Sequence, residues 1–202
     1  MDLVSTLISS GWASGVNAYL TVALMSLLGR AGWGDVPEEL QGNGVLAAAL
    51  VLYAIEFVVD KVPLLDSAWD VLHTIVRPAI ASAVGVALGG DAGATGVEEV
   101  FAGGGAGAMA FASHAVKAGI RLGVNSSPEP ASNIAVSLLE DGLVAGVTVL
   151  AIEHPVPAAI VAVILLVSGI ALATFLVKRI RKAWRALRAR WGGGGGPPAL
   201  AR

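Results

Sequence analysis

Glu56, Asp60, Lys61, Asp66, Asp70, His73 and Arg77 crowd into one stretch of a chain whose charged residues make up only 14%. Carboxylates, an imidazole and cations at such density are the material of an ion or proton site, a metal site or a charged surface. If the stretch after Pro63 is helical, Asp66, Asp70, His73 and Arg77 fall at i, i+4, i+7 and i+11 and share one face, with Leu65, Ala68, Trp69, Leu72, Ile75 and Val76 on the other. That face reads as the cytoplasmic mouth of a polar cavity, extended by Glu56 and Asp60. The alternatives are an amphipathic helix lying in the interface with its charges in water, and a metal site through Asp66, Asp70 and His73. Carboxylate and imidazole are common ligands, but the chain has three histidines and no established metal spacing.

A second set lies further along. His114, Lys117 and Arg121 form a basic stripe at helical spacing, and Glu140 and Asp141 reach a similar depth from the next apolar segment. Charges at that depth avoid lipid, so they face one another or water. Glu140 with Lys117 or His114 is then a structural pair, or these groups form a proton or ion site, since a carboxylate and an imidazole sharing a partly desolvated site titrate near neutral pH. Asn17, in the middle of the first apolar run, also needs a partner.

The elements that would position these groups are membrane helices. With 202 residues, 55% of them hydrophobic, and a mean hydropathy of +0.76, the chain is all-α and polytopic. Six spans are expected: about Leu3 to Leu28; Gly44 to Val59; Asp66 to Gly89 with a kink at Pro78; Val100 to Leu122; Asn133 to Ile152; and Pro157 to Val177. The first run has no basic leader, so it is expected to be retained. Residues 178–191 carry a basic block, which the positive-inside rule places in the cytoplasm, and residues 192–202 read as a disordered tail. Counting back over six spans puts both termini in the cytoplasm. The membrane domain is then residues 1–177.

The two halves, residues 1–90 and 91–177, resemble each other. Gly11-x3-Gly15-x3-Tyr19 recurs as Gly103-x3-Gly107-x3-Phe111, 92 positions later. Arg30-x-Gly32-x4-Pro37-Glu38 recurs as Arg121-x-Gly123-x4-Pro128-Glu129, 91 positions later, and Asp60-Lys61 matches Glu153-His154, 93 positions later. Three spans per half would make this an inverted repeat, an arrangement of secondary transporters with a midplane site. Arg30 and Arg121 would then be equivalent groups at opposite ends. The glycine cluster Gly103 to Gly107 lacks a following Lys-Ser/Thr, so it reads as close helix packing and not as a phosphate loop.

Gly15-Val16-Asn17-Ala18-Tyr19-Leu20, the Glu56-x3-Asp60-Lys61-x-Pro63-x2-Asp66-x2-Trp69-Asp70 run and His73-x3-Arg77-Pro78 are similar to the bacterial membrane proteins grouped as domain of unknown function 4126. The resemblance implies an integral membrane protein of unassigned activity and carries no residue roles. The residues themselves point to a small transporter or channel for an ion or small polar solute, with Glu140, Asp141, His114, Lys117, Glu56, Asp60 and Asn17 at its site. A competing class is a scaffold or lipid-binding protein that presents a charged cytoplasmic docking surface. Membrane lipids and further copies of the chain are expected partners; no nucleic acid, cofactor or enzymatic step is expected, a metal-dependent intramembrane enzyme being the minority alternative.

Overall fold

A computed structural model of the chain describes residues 2–62, 65–125 and 130–192. Among them are six α-helices: α1 Leu3–Arg30, α2 Asn43–Val59, α3 Leu65–Asp91, α4 Val97–Val124, α5 Pro130–Glu153 and α6 Pro155–Gly192, with a 3-10 turn at Glu38–Gln41 before α2. The local causes of these boundaries are legible. Asp2 caps α1 by accepting from the Ser5 amide at 3.2 Å. Gly96 takes φ +58° to open α4, whose first turn holds Glu98 and Glu99 at the positive end of the helix dipole. α3 continues through Pro78 as one helix, as the span expected from Asp66 to Gly89 requires.

α1, by contrast, is interrupted at Asn17. The Asn17 φ/ψ of −150°/96° separates two helical arms, residues 3–16 and 18–30. Neighbours show where each arm goes. Leu3 and Leu7 lie beside Glu98, Phe101 and Ala102 at the start of α4. Leu28 shares an apolar cluster with those same two leucines and with Val84 and Leu88 at the end of α3. Just past the second arm, Gly34 abuts Ile152 at the end of α5, and Arg30 bonds Asn43 at the start of α2. A straight helix of 28 residues would be about 42 Å long and would separate Leu3 from Arg30 by the depth of a bilayer. Both ends of α1 therefore lie at the same end of the bundle, with the α3–α4 and α5–α6 turns, and Asn17 is the tip of a hairpin that goes in and comes back.

Two expectations are corrected by this path. The first apolar run, although long enough, does not cross the bundle, and the N-terminus lies at the opposite end from the basic extension of α6. Length and composition suit α1, α3, α5 and α6 for a membrane; α2 is apolar but has 17 residues, and α4 has 28 but bears Lys117 and Arg121. α6 carries the basic block as helix to Gly192; the rest of the expected tail lies outside the described residues, as do Pro63 and the Pro128-Glu129 element of the repeat.

The bundle is turned inside out relative to a water-soluble one. Val71, Leu72, Ile75, Phe101, Ile160 and Ile164 are exposed, while Arg77, Arg121, Glu56 and Lys117 are buried. Lipid dictates that distribution, since only apolar groups can face it without an unpaired polar atom. Small residues let the arms approach: Gly11 lies against Ala106, and a Cβ on Gly15 would fall 1.9 Å from Ser113 Oγ and 2.2 Å from the Ala110 carbonyl. Gly15→Ala is accordingly expected to destabilise the protein by about 1–3 kcal/mol through overpacking. A lowered thermal midpoint in detergent would show it, with Gly104→Ala, whose Cβ meets nothing within 4 Å, unchanged.

Candidate functional site: the charged interior at the tip of α1

Interrupting a helix strands the carbonyls that end one arm and the amides that begin the next. Here each set finds a side chain. Arg77 Nη1 donates to the Gly15 carbonyl at 3.4 Å and Lys117 Nζ to the Val16 carbonyl at 3.1 Å, which places two cations at the negative end of the first arm. Asn17 Oδ1 accepts from the Leu20 amide at 3.0 Å and caps the second arm. Its amide nitrogen is left to donate to Asp141 Oδ1 at 3.1 Å.

Around this tip the ion pairs run in a chain. Arg77 bonds Glu56 at 2.7 Å and Asp70 at 3.2 Å. Lys117 lies 2.7 Å from Asp60, 3.6 Å from Glu56 and 3.7 Å from Glu140. Arg121 takes Glu140 at 2.5 Å, Asp60 at 3.4 Å and Asp66 at 3.6 Å, and also donates to the Asp60 carbonyl and to Asn133 Oδ1. Asn125 closes the far end by donating to both oxygens of Asp66. Six carboxyl groups (Glu56, Asp60, Asp66, Asp70, Glu140 and Asp141) thus surround three buried cations, Arg77, Lys117 and Arg121, with the half-buried Lys61 at the edge.

Both nearby histidines are fixed by partners at both ring nitrogens. His114 Nδ1 is 2.7 Å from Arg77 Nη1, a group that can only donate, so Nδ1 accepts and the ring proton is on Nε2, facing the Asp70 carbonyl at 3.0 Å and Thr74 Oγ1. His73 Nδ1 donates to the Trp69 carbonyl at 2.7 Å, and its Nε2 shares a hydrogen bond with the Tyr19 hydroxyl at 2.9 Å. Trp69 stacks on the His73 ring.

Asp66, Asp70, His73 and Arg77 do share one face of α3, as their spacing requires, but that face is an interior wall and all four are buried. The charges of that face are not in water, as an interfacial helix would have them, and Arg77 lies at the centre, against the α1 tip. Asp66, Asp70 and His73 turn to different partners, and no group of three or more potential metal ligands forms among the described residues. Glu140 and Asp141 diverge, the first to Arg121 and Lys117, the second to Asn17. His114 meets Arg77, not Glu140. Arg121 is buried, whereas Arg30 is exposed and bonds the Gln41 carbonyl and Asn43.

Sequence reasoning passed over Asn125, Asn133, Thr74 and Ser113, and the two backbone carbonyls at the tip. The asparagines had one available signal, being polar residues that flank apolar runs on the side of the charged stretch. A cavity of about 280 Å³ opens beside the network between α1, α4, α5 and α6; apolar walls that include Trp12, Leu143 and Leu172 lead to Lys117 and Glu140.

The family model for a domain of unknown function, DUF4126, matches residues 4–175. The chain belongs to the DUF4126 family. The matched region takes in the hairpin and every charged residue of the interior, and it stops before the basic extension of α6. No curated protein and no solved structure matches the chain.

Proposed function

We propose that this DUF4126 protein is a small transporter or channel of the bacterial inner membrane, moving an ion or small polar solute past the tip of α1. The observation that carries the reading is the interrupted helix whose free carbonyls and capping asparagine meet buried charges, since discontinuous helices of this kind hold the substrate and ion sites of secondary transporters. The basic extension of α6 belongs in the cytoplasm by its charge. α2 to α6 are then five crossings, and α1 is a re-entrant hairpin entering from the outer side. An inverted relation between halves is supported from the tip onward: Arg30 bonds Asn43 as Arg121 bonds Asn133, 91 and 90 positions later. A Cβ on Gly104 or Gly105 would meet nothing within 4 Å among the described residues, which leaves room for another copy to pack.

A charged docking surface is a weaker reading, because the residues that would form it are buried and the exposed face of α3 is apolar. Water access to the tip separates the two. The chain has no cysteine, and Ser14, buried beside the break with its hydroxyl unpaired, accepts a nearly isosteric Ser14→Cys. A membrane-impermeant thiol reagent is expected to label it from at least one side, with Ala186→Cys in the exposed basic helix as control. Protection from both sides would remove the transport reading.

A further inference from the structure

Five of the six carboxyl groups in the charged interior form an ion pair; Asp141 forms none among the described residues. Its Oδ1 accepts from Asn17, while its buried Oδ2 has no donor in full hydrogen-bond geometry among the described residues, the neutral Tyr53 hydroxyl being the nearest group able to donate to the carboxyl. The groups that face it come from three sides. α1 contributes the neutral Asn17, α2 the Tyr53 hydroxyl together with Asp60 and Lys61 at its end, and α4 contributes Lys117. Neither lysine is free to serve it: Lys117 is committed to Asp60 and the Val16 carbonyl, and Lys61 to the Phe57 carbonyl at 2.7 Å and the Phe57 ring. A carboxylate here would add to an interior that already has more acids than cations, at a depth where an unpaired charge is costly.

We infer that Asp141 is the reversible proton site of this molecule, and that the proton is the coupling or transported ion. The step is a simple association: a proton from the aqueous side adds to Oδ2, Oδ1 keeps its bond from Asn17, and release restores the carboxylate. Asn17 is at once the cap of the second arm and the partner of Asp141, so charge on Asp141 is felt at the hinge of α1. This deepens the transport reading and rests on it for the proton's role, though not for its presence.

Full-length protein in liposomes, treated with a hydrophobic carbodiimide, tests the site without any assumption about transport, because the reagent modifies protonated carboxyl groups. Peptide mass mapping is expected to find the adduct on Asp141, decreasing as pH rises, absent in Asp141→Asn and kept in Glu140→Gln. An unmodified Asp141, or an adduct insensitive to pH, overturns the inference. Proton uptake into the same liposomes, read with a pH-sensitive dye, is expected to fall in Asp141→Asn to the level of protein-free vesicles. Uptake unchanged in that variant also overturns it. A pH-dependent adduct in a wild-type protein that takes up no protons would instead uphold the site and defeat the transport reading.

Discussion

Arg77→Ala is expected to cost about 3–5 kcal/mol, the usual loss when one member of a buried ion pair is removed. Arg77 is fully buried and its guanidinium serves Glu56, Asp70, His114 Nδ1 and the Gly15 carbonyl at once. Truncation leaves Glu56 with only Lys117 at 3.6 Å and Asp70 with no cation. Against a total stability of about 5–15 kcal/mol this is a large share. Arg77→Lys should fall between, since a single ammonium cannot reproduce a planar fork that reaches two acids and a ring nitrogen. Replacing the set together, Arg77→Met with Glu56→Leu and Asp70→Asn, should recover much of the loss, because the penalty comes from stranded charge and not from a missing contact. Thermal unfolding in detergent measures all three. A loss below about 1 kcal/mol in Arg77→Ala would mean that water screens these groups as it does a surface pair, and the interior would have to be regarded as wet.

How much of this was legible in the sequence follows from what each signal reports. Spacing placed Asp66, Asp70, His73 and Arg77 on one face correctly, because helical periodicity is local. It could not say which way the face points, and here the presence of lipid decides: the same amphipathic pattern that turns its charges to water at an interface turns them inward in a bundle. Hydropathy found the apolar runs but misled at α1, because length and composition cannot distinguish a helix that crosses from two arms of half the length. The one local hint was Asn17, a residue that caps helices more readily than it continues them. Pairings such as Arg121 with Glu140, or Lys117 with Asp60, depend on the third dimension; the stripe of His114, Lys117 and Arg121 announced that acids would be near, but not which ones.

Asn17→Ala is the second large effect expected, and its two parts separate. Loss of the cap on Leu20 costs about 1 kcal/mol, and loss of the donor to a buried carboxyl about 1–3 kcal/mol more, so the thermal midpoint should fall clearly but by less than in Arg77→Ala. The functional consequence is the sharper one. Gly15 and Val16 would still be held by Arg77 and Lys117, so the first arm stays anchored while the second loses both its cap and its link to α5. The tip should then open more often, and thiol labelling of Ser14→Cys should become faster in the Asn17→Ala background and lose its dependence on pH, because the charge on Asp141 no longer reaches the hinge. Asn17→Ser, which retains a capping oxygen but cannot donate across to Asp141 from the same position, divides the effect: the midpoint should be partly restored while the pH dependence stays lost. Unchanged labelling in both variants, with the midpoint lowered, would make Asn17 a structural cap alone and leave the hinge without its connection to Asp141.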